Sequence, residues 1–216
     1  MNNKLISLSG IDGAGKSTQI LLIQNYYDNQ KQPFINLWTR GGNTPGIEML
    51  KFIARKIAGK KLPSSGHSIK RDQMFKNKLI QKLWLTFAII DLCRIYALNI
   101  RWNLLIGKAV ICDRYLRDTL IDFKINFPDL DIEKWILWKF LFFVTPKPSV
   151  EYLLMIPIKL SEERCLQKYE PFPDTPQRRK IRFKLYDEMS KNSNLDVINA
   201  TQNVENVFDI IQRKLP

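Results

Sequence analysis

The sequence predicts an α/β fold, a parallel sheet covered by helices on both faces, and three observations carry that prediction. Apolar, strand-like runs alternate with helix-like runs along the chain. The first run, Leu5–Ser9, passes directly into the turn Gly10-Ile11-Asp12-Gly13-Ala14-Gly15-Lys16-Ser17 and from there into a helix-like stretch. A later run, Ala109–Cys112, is wholly apolar, as a strand buried on both faces must be, and it ends in Asp113-Arg114.

The elements follow in order. Leu5–Ser9 is a strand because its apolar run is short and stops at Gly10. Thr18–Asn29 is a helix. Phe34–Thr39, entered through Pro33, is a second strand. Ile47–Ile57 is a helix after a Gly/Pro turn, and Gly59–Lys70, rich in Lys, Ser, Gly and Pro, reads as a mobile loop. Phe75–Ile106 has apolar residues at helical spacing (Leu79, Leu83, Phe87, Ile90, Leu98), enough for one bent helix or two, and Gly107 ends it. After the Ala109–Cys112 strand come helices over Tyr115–Phe127 and Ile132–Phe143. Prolines frame a strand over Val150–Ile156. Ser161–Tyr169 opens with Ser-Glu-Glu-Arg, an N-cap followed by acids. A helix over Arg178–Lys191, a strand over Leu195–Ile198 and a helix over Val204–Lys214 complete the chain. In such a sheet ligands bind beyond the carboxyl ends of the strands, the edge that carries both the glycine turn and Asp113.

The glycine turn has the spacing G-x-x-x-x-G-K-S in a strand–loop–helix setting, which is the pattern of a P-loop. Gly10, Gly13 and Gly15 let the backbone curl, so that N–H groups from Gly13 through Thr18, Ala14 included, point at phosphate oxygens. The helix that follows offers its positive end to the same anion. Lys16 reaches the β- and γ-phosphates of ATP, and the Ser17 hydroxyl is placed to ligate Mg²⁺. Asp113, at the end of another strand, is the natural second holder of Mg²⁺, and Arg114 beside it offers a planar fork to a further phosphate. The plainer alternative for the Asp113–Arg114 pair is a structural ion pair at a helix start.

The bulk numbers narrow the setting. A chain of 216 residues, 45% hydrophobic and 25% charged, suits one domain spanning 1–216. No charge-free apolar stretch reaches the ~18 residues of a membrane helix, and the first apolar run belongs to the P-loop strand rather than to a leader. Three scattered cysteines, Cys93, Cys112 and Cys165, suggest buried thiols in a reducing cytosol. The net charge of +13 fits nucleic acid, an anionic surface or polyanionic small molecules. No nucleic-acid-binding motif accompanies it, so solubilising charge ranks ahead of a nucleic-acid function.

The P-loop segment Leu8–Gln19, the triplet Asp113-Arg114-Tyr115, Thr39-Arg40-Gly41-Gly42-Asn43-Thr44-Pro45 and Pro146-Lys147-Pro148 together resemble the thymidylate kinase family of nucleoside-monophosphate kinases. The resemblance implies Mg²⁺-dependent transfer of the γ-phosphoryl of ATP to a nucleotide, with thymidylate first. By resemblance, Asp12 meets the acceptor's 3′-hydroxyl or phosphate, Arg40 and Arg114 clamp that phosphate, and Asp113 serves the magnesium. It implies a lid over about 167–182, where Arg178 or Arg179 supplies the cation that some relatives carry in the P-loop, worth on the order of a thousandfold in rate. It also implies a homodimer through the long helix, Phe75–Ile106, with Trp135–Phe143 as the other choice. The acceptor pocket departs from the pattern. Phe87 is placed to stack on a base, but Asp91 stands where an arginine is expected, and Arg94 lies a turn further on. Asp118 stands where the family has a small hydroxyl residue, with Asp122 one helical turn later. These two acids either pair with Arg117 or Arg94 or face the acceptor. A nucleoside, sugar or other alcohol as acceptor, or a basic nucleotide-binding protein using ATP as a switch, are the alternatives.

Overall fold

The computed structural model describes residues 4–39, 46, 77–167, 174–191 and 195–216. The expected helix over Ile47–Ile57, the loop over Gly59–Lys70, and Arg40 and Lys168 lie outside the described residues. Five strands form one sheet: β1 (Leu5–Gly10), β2 (Phe34–Trp38), β3 (Ala109–Asp113), β4 (Val150–Met155) and β5 (Asp196–Asn199). Their order is β2-β3-β1-β4-β5, and every pairing is parallel. This is the fold of a P-loop NTPase.

β1 lies at the centre, fully buried, and its alternation divides the core in two. Ile6 and Leu8 face one layer, with Ile20, Ile23, Tyr186 and Ile211. That layer holds α1 (Lys16–Asn29), α7 (Pro176–Lys191) and α8 (Val204–Gln212). Leu5 faces the other, with Leu85, Ile89, Tyr96, Phe123 and Trp138. Here the long helix packs with α4 (Leu116–Asn126) and α5 (Ile136–Val144). In register, Leu8 stands opposite Asp113, so the P-loop and the end of β3 emerge side by side.

The expected bent helix is one run, Lys78–Leu105. It comprises α2 (Lys78–Leu92), a π-helical stretch (Cys93–Asn99) and α3 (Ile100–Leu105). By length and composition it could cross a membrane, but Leu85, Ile89, Leu92, Tyr96 and Ile100 are built into the core. Two sequence expectations are corrected. The helix expected over Ile132–Phe143 is a 3₁₀ turn (Ile132–Lys134) and α5, separated by an extended Trp135. The helix expected from Ser161 begins earlier, as α6 (Ile158–Gln167). Ser161 is therefore not its cap. Its hydroxyl donates instead to the Asp12 carbonyl at 2.6 Å.

Candidate active site

The phosphate loop is formed by backbone that side chains would spoil. Gly10, Gly13 and Gly15 all have positive φ. A Cβ at Gly10 would meet the Leu154 carbonyl oxygen at 2.5 Å, whereas one at Gly15 would meet nothing within 4 Å, so the loop is packed behind and open in front. α6 braces it, with Arg164 donating to the Gly13 carbonyl at 3.1 Å. Lys16 folds back and donates to the carbonyls of Gly10 and Ile11, both at 3.0 Å. Burial pulls its ammonium down to about 8, and the Arg114 charge adds to this, while Asp12, Asp113 and Asp118 oppose it. Ser17 and Thr18 are exposed on the first turn of α1. A cavity of about 230 Å³ runs from Gly13–Gln19 to Arg164, Ala200, Gln202 and Val204. A larger groove of about 530 Å³ between α4, α5 and α7 contains none of the sequence-predicted site residues.

Asp113 and Arg114 close the other side. Asp113 Oδ1 is buried with no hydrogen-bond partner among the described residues, an oxygen of the kind Mg²⁺ takes as a ligand. Arg114 is buried at φ +72°, a strained conformation for a side-chain-bearing residue. Its backbone is pinned at both ends: its N–H donates to Leu8 at 3.0 Å, and its carbonyl accepts from the Thr39 hydroxyl at 3.0 Å. Its guanidinium donates to Asp12 at 2.6 Å and to the Tyr186 hydroxyl at 3.1 Å. Burial would lower its pKa, but Tyr186, Asp12 and Asp118 outweigh that and hold it above the ordinary value.

The arginines expected to serve a lid, Arg178 and Arg179, sit on α7, which lies against α4 in an antiparallel polar ladder. Arg178 donates to Asn126 at 2.6 Å, Arg182 meets Asp122 at 2.7 Å, and the Tyr186 hydroxyl donates to Asp118. Arg182 also donates to Asp174 at 2.6 Å. Arg179 lies 3.7 Å from Glu162 and 3.5 Å from the Asp174 carbonyl.

No protein-family model matches the chain. Curated relatives do. A thymidylate kinase of Marinomonas sp. is 25% identical over all of this chain and 95% of its own length. A probable thymidylate kinase of Thermococcus kodakarensis is 29% identical over 95% of this chain and 94% of its own. One from Symbiobacterium thermophilum reaches 33%, over 54% of this chain and 46% of the relative. These relatives, nearly full-length though at low identity, support a thymidylate kinase-like family and a kinase-like phosphotransferase.

Within this thymidylate kinase-like frame the structure brings Asp12, Lys16, Asp113 and Arg114 together at one sheet edge, with Asp118 beside Arg114 at 3.7 Å, whereas Phe87, Asp91 and Arg94 stand on the long helix. Phe87 is half-exposed on α2. Asp91 accepts from Arg94 at 2.9 Å and from the Gly46 N–H at 2.9 Å, so the acid and the arginine hold each other. Asp118 is fully buried. Its Oδ2 accepts from the Ser9 hydroxyl at 2.6 Å and the Tyr115 N–H at 3.0 Å. Arg117 goes elsewhere, to Glu151 at 3.0 Å. Thus Asp118 and Asp122 pair with arginines, but with Arg114 and Arg182 rather than Arg117 and Arg94. Sequence reasoning missed Ser9, Ser161, Arg164 and Tyr186. Two signals were available: a serine inside a wholly buried strand needs a polar partner, and Tyr186 shares a helix face with Arg178 and Arg182.

Proposed function

We propose that the protein transfers the γ-phosphoryl group of ATP to a nucleoside monophosphate, with thymidylate the preferred acceptor. The observation that carries this reading is the convergence of Lys16 and Arg114 on one sheet edge, where Arg114 pairs with Asp12 at 2.6 Å. The P-loop amides and Lys16 hold the donor phosphates, and the cavity toward Ala200 and Gln202 receives the donor's nucleoside. Arg114, joined by Arg40, which follows β2 in the sequence, orients the acceptor phosphate. Ser17 and Asp113 would hold Mg²⁺, which when bound offsets phosphate charge. An acceptor phosphate is already anionic, so no strong general base is needed, and rate comes from positioning and charge stabilisation. In this reading the stretch 167–182 is the lid of a single domain, and Arg178 or Arg179 turns to the transferring group. The choice of thymidylate is supported by the relatives, which are thymidylate kinases by name.

The Asp91–Arg94 pair favours one second reading, a small hydroxyl-bearing acceptor, for which Asp12 or Asp113 would take the proton. The same proposal places the protein in the cytosol, in keeping with three free cysteines, and makes it a homodimer through the outer face of the long helix.

An ADP-release assay with ATP, Mg²⁺, the nucleoside monophosphates and the matching nucleosides tests this. Thymidylate is expected to stimulate release most, and Lys16→Ala to lower the rate by on the order of a hundredfold or more. Stimulation by nucleosides alone would transfer the assignment to the second reading. Near-normal turnover in Lys16→Ala would remove the P-loop from the chemistry.

A further inference from the structure

Arg114 is held by a tyrosine from the far end of the lid helix. A carboxylate only accepts and a guanidinium only donates, so the phenol between them has one possible orientation. The Tyr186 O–H donates to Asp118 Oδ1, and its oxygen accepts from Arg114 Nη1 at 3.1 Å. Asp118 is itself fixed from two other elements, by Ser9 on β1 and by the Tyr115 N–H at the start of α4. Arg114 Nη2 is held by Asp12 at 2.6 Å. With one N–H of each terminal nitrogen committed in this way, the guanidinium plane is set, and a second N–H on each remains by valence for a phosphate.

The tyrosine also belongs to the ladder. Arg178, Arg182 and Tyr186 lie at i, i+4 and i+8 on α7, against Asn126, Asp122 and Asp118 at the matching spacing on α4. The seating of α7 and the aim of Arg114 therefore share one hydroxyl group.

We propose that Tyr186, seated on Asp118, is a positioning residue for Arg114 and couples the docking of the lid helix to the orientation of the phosphate-clamping fork. The role assigned to the fork rests on the phosphoryl-transfer reading above. The coupling itself rests on the contacts.

The test uses Tyr186→Phe, which removes only the hydroxyl, with Tyr152→Phe as control. The Tyr152 hydroxyl is likewise buried, donating to the Ile211 carbonyl on α8 at 2.8 Å and not to Arg114 or Asp118. Tyr186→Phe is expected to lower kcat with thymidylate by on the order of tenfold or more, with a change in Tm no larger than the control's. In an Arg114→Lys background the same substitution is expected to cost nothing further, because the group it acts through has gone. Unchanged kcat in Tyr186→Phe, or equal losses in both backgrounds, would overturn the proposal. Amide exchange provides a readout independent of turnover: Arg114→Lys is expected to speed exchange across Pro176–Lys191, and unaltered exchange there would overturn the coupling. If the wild-type protein phosphorylates no monophosphate, the proposed function fails, and exchange alone decides the coupling.

Discussion

Lys16 carries the clearest consequence at the scale of a single residue. Its ammonium is buried against two carbonyls, and burial brings its pKa down from 10.5 to about 8. The unfolded chain keeps the proton up to the ordinary value, so unfolding takes up a proton between about pH 8 and 10.5. Below about 8 the folded state bears the full cost of a buried charge, and that cost is relieved as pH rises through this window. The gain is at most about 3.5 kcal/mol, since a tenfold change in proton affinity corresponds to about 1.4 kcal/mol. Lys16→Met lacks the titration. Urea midpoints in the absence of nucleotide and magnesium should therefore shift in favour of wild type between pH 8 and 10.5. A constant difference between the two proteins across that range would mean that Lys16 is not desolvated. The strained φ of Arg114 belongs to the same scale. Its N–H bond to the Leu8 carbonyl and the Thr39 hydroxyl's bond to its own carbonyl hold it, and neither could be read from the triplet Asp113-Arg114-Tyr115.

At the scale of elements, α4 and α7 are joined by charge as much as by apolar contact. Arg182 is 1% exposed and lies between Asp122 and Asp174. Removing one side of a buried ion pair leaves the other desolvated without its counter-charge, which typically costs about 3–5 kcal/mol. Arg182→Met should lower stability by that order in chemical denaturation. Lys184→Met, on the exposed face of the same helix, should leave the midpoint unchanged, because the Lys184–Glu188 pair at 3.8 Å is open to solvent. Equal effects from the two would show that the ladder does not hold α7. The sequence displayed the acids of this ladder at i and i+4 but not their partners. Helical spacing says which residues share a face, and only packing decides what that face meets. The same limit explains Ser161: as a cap it suited local rules, but the preceding Pro157 and Ile158 start the helix earlier and turn its hydroxyl toward the P-loop.

Across the whole molecule, the long helix separates two environments. One face is core, while the other leaves Leu79, Leu83, Ile90, Leu98 and Trp102 exposed, the last at 64%. On neighbouring α5, Ile136, Phe140 and Phe143 are exposed as well. So many exposed large apolar side chains on two neighbouring helices are uncommon on a monomer. The homodimer proposed above covers it, and sedimentation of the wild type should give twice the 25.4 kDa chain mass. Trp102→Glu should give the single-chain mass with the far-ultraviolet circular dichroism unchanged. A wild type sedimenting as a single chain would end the dimer reading.

The sequence by itself determined the parallel α/β fold and the phosphate loop. Both rest on local rules: strand and helix periodicity, and glycines at positions where no other residue could follow the backbone. It also brought Asp113-Arg114 to the right edge, because strands that run parallel all end on the same edge of the sheet. Only the tertiary structure decided the partners of the buried charges. Asp118 meets Ser9 and Tyr186 across separations of 109 and 68 residues, and Arg114 meets Asp12 across 102. A charge buried away from water must find a counter-group, but the need does not say which. That choice is made by the packing of α7 on α4, which no local pattern encodes.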